Sequence, residues 1–194
     1  MTRSSHTLTP TYFDAVYAAD SDPWRFASSA YETRKYDATL AALPKSRYVS
    51  ALEIGCSIGV LTHRLATRCD SLLAVDGSQT PLAQAKSRCV DLPSVRFERM
   101  FVPQSWPDGI FELFLFSEVI YYLNELDVAR LASKCAQSLA PNGDIMLVHW
   151  TGETDYPLSG DEAAELFVNF VDPFAKAVRC DRHELFRLDV LSRR

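Results

Sequence analysis

From residue 48 onward, short apolar runs alternate with stretches whose apolar positions recur at helical spacing. "YVSALEIG" (48–55) predicts a first strand ending at a glycine, and "GVLTHRLATRC" (59–69) a helix after a tight turn. "SLLAVDGS" (71–78) reads as a second buried strand, followed by a helix over "QTPLAQAKSRCV" (79–90) with Pro81 tolerated in its first turn. "VRFERM" (95–100) predicts a third strand, and a fourth lies within "IFELFLFSEVIYYL" (110–123). An amphipathic helix over 127–140 is stopped by "PNG", and "DIMLVHW" (144–150) is a fifth strand. One more helix is expected over 161–171, and the tail 175–194 reads as two short strands about a polar turn, so that an antiparallel strand finishes the sheet. Ahead of this, Thr9 to Leu43 is mostly helical and broken at "SDPW", where Pro23 restricts Asp22 and invites a new helix start.

Strands this apolar are covered on both faces, and strands alternating with helices are joined by parallel crossovers. The expected architecture is α/β: a Rossmann-like, doubly wound, mostly parallel seven-stranded sheet with an antiparallel C-terminal strand and an N-terminal helical cap. A chain of 194 residues, 47% hydrophobic, suits one domain, with residues 1–45 as the cap or lid and 46–194 as the core.

Composition narrows the partners. The net charge is −5, and the Lys and Arg residues are scattered, which disfavours a nucleic-acid surface. Five cysteines, Cys56, Cys69, Cys89, Cys135 and Cys180, are odd in number and lack CxxC spacing, so no disulfide framework and no metal site is indicated. The polar start "MTRSSHTLTP" has no signal-peptide pattern and no apolar run approaches a membrane span, so a reduced, cytoplasmic setting is expected.

Ligands of such sheets lie outside the carboxyl ends of the strands. Strand one ends in Glu53-Ile54-Gly55-Cys56-Ser57-Ile58-Gly59, where Gly55 allows backbone angles closed to other residues and Gly59 lets helix and strand approach. The spacing is not GxGxxG, so a dinucleotide pyrophosphate is disfavoured. Strand two ends in Asp76, about twenty residues on, where a carboxylate accepts both hydroxyls of a ribose.

These residues resemble the class I S-adenosylmethionine-dependent methyltransferases, whose first motif is an acidic residue followed by GxGxG, here Glu53, Gly55, Ser57 and Gly59. Ser57 departs from the usual middle glycine. The resemblance implies S-adenosylmethionine as cofactor, Asp76 on the ribose hydroxyls, Met100 and Phe101 flanking the adenine, and "LFLFSEVIYYL" facing the methionine part. Cys56, Gly77 and Ser117 join the cofactor site through the same motifs. The flanks, with "YFDAVYAADSDPWRFASSAYETRKYDATLAALP" ahead of the core, resemble the rhizobial nodulation-factor N-methyltransferases, the NodS family. That resemblance implies as substrate a chitooligosaccharide whose non-reducing-end glucosamine carries a free amine. It also implies that Tyr31 and Arg34 close over the cofactor, with Arg34 near its carboxylate.

Methyl transfer to an amine needs positioning more than acid or base help, but the amine must be uncharged when it attacks. Glu118, after strand four, is the expected group to orient the amine and accept its proton, with His149 as the other base. Tyr121 and Tyr122 alternate, so at most one of them faces the pocket, to pack a sugar face or donate a hydrogen bond; Tyr121 is taken as the catalytic one. Trp24 is expected to wedge the cap onto the core, and Trp150 and Tyr156 are candidates for lining an oligosaccharide groove. A small-molecule O-methyltransferase, a nicotinamide-dependent oxidoreductase and a non-catalytic binding domain on the same fold are the alternatives.

Overall fold

The structure, a computed structural model, describes residues 3–193; Met1, Thr2 and Arg194, which the expected domain bounds include, lie outside the described residues. Seven strands form one sheet in the order β3-β2-β1-β4-β5-β7-β6. They are β1 (Tyr48–Ile54), β2 (Cys69–Asp76), β3 (Val95–Arg99), β4 (Phe111–Ser117), β5 (Leu139–Trp150), β6 (Lys176–Arg182) and β7 (Phe186–Ser192). The first five run parallel, while β7 is antiparallel to both β5 and β6. The chain winds from β1 out to β3 and then returns to β4 beside β1, so the switch point opens over the carboxyl ends of β1 and β4.

Alternation along each strand supplies two cores. Leu52, Ile54, Phe114, Phe116, Ile145 and Leu147 face α5 (Glu125–Ser138) and α6 (Gly160–Val171). Ala51, Leu113, Leu115, Met146 and Val148 face the opposite side, where Tyr36 and Ala42 of α2 (Ala30–Ala42) and Leu61 of α3 (Val60–Leu65) pack. Leu82 of α4 (Gln79–Arg88) covers Ala74 on that side. Alternation also places Glu53 on the α2 side and His149 on the α6 side. The remaining helix, α1 (Pro10–Ala19), contacts α4 and is tied to it by the Ser78 hydroxyl, which donates to Asp14 at 2.6 Å.

Two local features differ from expectation. The helix expected over 127–140 spans Glu125–Ser138, capped by the Asn124 side chain on the Asp127 N–H. Leu139 already pairs with Phe111, and the "PNG" segment forms a register shift before Asp144 pairs with Leu113. Asn142 takes φ +58° there, a conformation its short polar side chain tolerates. The antiparallel strand does not finish the sheet, because the buried, apolar β7 inserts beside β5 and the exposed, charged β6 takes the edge. An edge strand with alternating charge resists pairing with other chains. The fourth strand lies within 110–123 as expected, and residues 120–122 beyond it form a turn of 3₁₀ helix. Among the described residues no helix is long and apolar enough to cross a membrane.

Candidate active site

The turn after β1 is built from left-handed backbone. Gly55 has φ +75°, Ser57 +50° and Gly59 +78°. A Cβ on Gly55 would stand 2.3 Å from the Val119 Cγ2, so glycine alone keeps this wall of the cleft open. Ser57 carries its strain with two contacts: its N–H donates to Asp76 Oδ2 at 2.9 Å, and its hydroxyl lies 2.5 Å from that of Tyr17. Gly59 lines neither cavity described below. Its bare Cα faces α4, where a Cβ would come within 2.8 Å of the Ala85 Cα, so the close approach it permits is helix to helix rather than helix to strand.

A cleft of about 690 Å³ opens over the carboxyl ends of the first four strands, lined by Ile54, Gly55 and Ser57, by Asp76 and Gly77, by Met100 and Phe101, and by Ser117, Glu118 and Val119. Tyr122 and Leu123 continue this wall, and Leu8, Phe13, Tyr17, Trp24 and Phe26 from the N-terminal segment close the other side. Phe13 and Tyr17 are four residues apart on α1 and therefore share a face. Trp24 stacks on Phe26 with centroids 5.6 Å apart and meets Tyr17 edge-on, so it is both packing and cavity wall. A smaller cavity of about 330 Å³ lies alongside, lined by Glu32, Tyr36, Glu53, Cys56, Ser117 and Glu118 among others. Glu118 borders both spaces.

Charge in this region is mostly negative. Asp76 accepts from the Ser57 and Ser78 N–H groups, both at 2.9 Å, yet burial raises its carboxyl to about 6. Glu53 is buried with its Oε2 unpartnered, and burial pushes it up to about 8. Glu32 also has an unpartnered Oε2 and is raised by burial, although Lys35 opposes the rise. The Lys35 ammonium lies between Glu32 at 2.9 Å and Glu118 at 2.5 Å; burial works against its charge, but the two carboxylates hold it above its ordinary value. Glu118 takes φ +58° and accepts from the Tyr121 hydroxyl at 2.7 Å and the Trp150 N–H at 2.8 Å. Burial alone would raise its carboxyl, but the Lys35 ammonium outweighs that and holds it below the usual value.

The raised Glu53 gives a measurable signature. Its stabilising contribution is complete below an unfolded pKa of about 4.3 and is lost as pH rises through the folded value of about 8. The thermal midpoint of the ligand-free protein should therefore fall across this window, and fall less in Glu53→Gln, whose neutral amide mimics the protonated carboxyl. An equal fall in both proteins would assign the effect to another group.

Several expected residues lie elsewhere. Arg34 is exposed, because the inward face of α2 is Glu32, Lys35, Tyr36 and Thr39, and one residue of rotation turns position 34 to solvent. Tyr31 lines neither cavity; its ring meets Phe186 edge-on and its hydroxyl donates to the Leu185 carbonyl at 3.4 Å. His149 is fully buried on the α6 side, its Nε2 accepting from the Ile120 N–H at 3.2 Å, and burial lowers it to about 4. It borders neither space, and its Nδ1 has no hydrogen-bond partner among the described residues. Of the two tyrosines, Tyr122 faces the cleft, whereas Tyr121 is buried with its hydroxyl committed to Glu118. Trp150 packs over Gly152 and Tyr156 stacks on Tyr121, and neither lines either of these two cavities. Residues not singled out from the sequence include Leu8, Phe13, Tyr17, Phe26, Glu32, Tyr36 and Val119. The i, i+4 aromatic pair in "YFDAVY" was the available signal for the α1 face.

With this geometry in hand, comparisons with known proteins are specific. The family model described as Nodulation protein S (NodS) matches residues 15–150. Nodulation protein S of Sinorhizobium fredii (strain NGR234) is 29% identical over 130 residues, 66% of this chain and 60% of that protein. Its counterpart in Rhizobium tropici is 29% identical over 131 residues, 66% of this chain and 55% of that protein. The chain thus spans less than two thirds of these curated relatives. Among solved structures, a candidate methyltransferase from Pseudomonas syringae superposes with a TM-score of 0.76 at 34% identity, covering 85% of this chain and 100% of that one. The N-methyltransferase NodS from Bradyrhizobium japonicum WM9 in complex with S-adenosyl-L-homocysteine shares the fold, with a TM-score of 0.78 at 18% identity over 96% of this chain and 99% of that one.

Proposed function

Because the chain belongs to the nodulation protein S (NodS) family, we propose that it is an S-adenosylmethionine-dependent N-methyltransferase. Its substrate in this reading is the free amine on the non-reducing-end glucosamine of a deacetylated chitooligosaccharide, in Nod factor synthesis. The observation that carries the cofactor assignment is the meeting of the 55–59 turn with Asp76 at the rim of one cleft.

The residues fit the cofactor. Gly55 leaves room that a Cβ would fill, and the unpartnered Oε2 atoms of Glu53 and Glu32 offer hydrogen-bond acceptors to a ligand that carries an ammonium and a sulfonium, whose positive charge would favour the ionised carboxylates. Each Asp76 oxygen accepts one backbone N–H and keeps a lone pair for a ribose hydroxyl. Met100 and Phe101 would flank the adenine, a reading supported by their place in the cleft wall, with Gly77 letting Phe101 lie close to the turn. Cys56, Ser57 and Ser117 wall the passage toward Glu53, where the amino-acid end would lie. Residues 1–45 act as the cap of a single domain whose core is 46–194, a reading supported by the N-terminal side chains that line the cleft.

When bound, S-adenosylmethionine would supply the methyl group, its carbon–sulfur bond giving its electron pair to sulfur as the amine lone pair forms the C–N bond, and the proton then lost from nitrogen would pass to water. The chain contributes orientation and exclusion of water. Glu118, held ionised by Lys35, is a poor proton acceptor but a strong hydrogen-bond acceptor, so its task is to orient the amine N–H. Tyr122, Phe13 and Leu8 narrow the cleft around it.

Mass spectrometry tests the reading. Incubation with S-adenosylmethionine should add one methyl group to the amine of a partly deacetylated chitooligosaccharide and none to the fully acetylated one. Methylation of both, or of hydroxyls, would overturn N-methylation. In calorimetry, S-adenosylhomocysteine should bind and NADH should give no heat; the reverse would remove the methyltransferase reading altogether.

A further inference from the structure

Lys35 is a buried cation outside the reading above except through its effect on Glu118. Its side chain is 2% exposed and its ammonium is shared by Glu32, one helical turn back on α2, and by Glu118, which projects from the end of β4. An ammonium taken out of water this completely is stable only when fully paired. The two oxygens of Glu118 are unequally held. Oε2 accepts from both the Tyr121 hydroxyl and the Trp150 N–H, whereas Oε1 has Lys35 as its single partner. Oε1 is therefore the oxygen with capacity left for another donor. Glu118 borders both cavities and Glu32 borders the smaller one, so Lys35 bridges the walls of the region where the two spaces meet.

We propose that Lys35 is the positioning residue for Glu118: anchored on Glu32, it fixes the Glu118 carboxylate between the two cavities so that one oxygen meets the acceptor's amine in a single orientation. This rests on the N-methyl transfer reading for the identity of the acceptor. The groups that face Glu118 are Lys35, Glu32, Tyr31 and Tyr36 from α2, Tyr121 and Tyr122 from the 3₁₀ turn, and His149 from β5. Lys35 supplies the buried positive charge in that set, since His149 is neutral at ordinary pH. Removing it would leave Glu118 beside Glu32, freer to turn and easier to protonate.

The test compares wild type with Lys35→Met, Lys35→Arg, Glu118→Gln and Lys35→Met/Glu118→Gln. Glu32→Gln/Lys35→Met is added because it removes one carboxylate together with the ammonium, so a folded protein remains to be measured if Lys35→Met unfolds. Turnover on partly deacetylated chitooligosaccharide is followed together with the titration of the Glu118 carboxyl carbon by ¹³C NMR, identified by its loss in Glu118→Gln. Without Lys35, kcat should fall roughly 10- to 100-fold, the scale of a misplaced group beside the reacting atoms, and the Glu118 titration should move to higher pH. Lys35→Arg should recover part of both. The variant carrying both Lys35→Met and Glu118→Gln should be no slower than Glu118→Gln alone, because the two residues act as one unit. An unmoved Glu118 titration, or wild-type kcat in Glu32→Gln/Lys35→Met while Glu118→Gln is impaired, would overturn the proposal. If wild type methylates no amine, the functional reading fails instead, and the NMR titration still decides whether Lys35 governs Glu118.

Discussion

Asp76→Ala should weaken S-adenosylhomocysteine binding by about a hundredfold, measured by titration calorimetry. In the proposed site the carboxylate receives two ribose hydroxyls, and hydrogen bonds to a charged group contribute about 1.5–3 kcal/mol each. Part of that sum is regained as water enters, leaving a loss of about 3 kcal/mol, which corresponds to roughly two orders of magnitude. The same carboxylate also holds the N–H groups of Ser57 and Ser78. Its removal therefore loosens the left-handed turn as well as the ligand contact. Asp76→Asn, which keeps an acceptor but loses the charge, should lose only about tenfold. A change below about threefold in Asp76→Ala would show that the ribose lies elsewhere.

Gly59→Ala should have a large effect on stability. The residue has φ +78°, which costs a side chain about 1–2 kcal/mol. Its new Cβ would also stand 2.8 Å from both the Cα and the Cβ of Ala85. Backbone of α4 cannot rotate away as a side-chain tip would, so α3 and α4 must separate, at about 1–3 kcal/mol for the overpacking. The total of roughly 2–5 kcal/mol should lower the melting temperature by about 5–15 °C in a chain of this size. Ala85→Gly in the same background should recover only part, since the Ala85 Cα remains at 2.8 Å. An unchanged midpoint by circular dichroism would mean that the helices are not in contact through this glycine.

The residues legible in the sequence were those fixed by local chemistry. A left-handed turn demands glycine or a strained substitute, and Gly55, Ser57 and Gly59 all adopt it. The carboxylate ending β2 lies beside that turn because parallel neighbours in register bring their carboxyl ends together, with Ile54 opposite Val75. The cap was less legible. "YETRK" shows charged and aromatic residues at helical spacing but carries no information on the rotation of the helix about its axis. That rotation turned Lys35 inward and Arg34 outward. His149 and Tyr121 carry side chains suited to catalysis, yet both are buried away from the cleft lining, His149 accepting from the Ile120 N–H and Tyr121 donating to Glu118.

By itself, the sequence determined the alternating α/β order, the parallel sheet with one reversed strand, and the turn-and-carboxylate pair to which the ribose is assigned. Each follows from short-range pattern: apolar periodicity, backbone freedom at glycine, and the parallel crossovers that place strand ends side by side. Tertiary structure decided which charges meet. Helix phase, strand facing and burial join residues 35 and 118, which are 83 positions apart; the paired Lys35 ammonium holds Glu118 ionised against its burial, while burial holds Glu53 protonated and His149 neutral. Desolvation and pairing depend on what surrounds a group in space, and no local spacing along the chain encodes that.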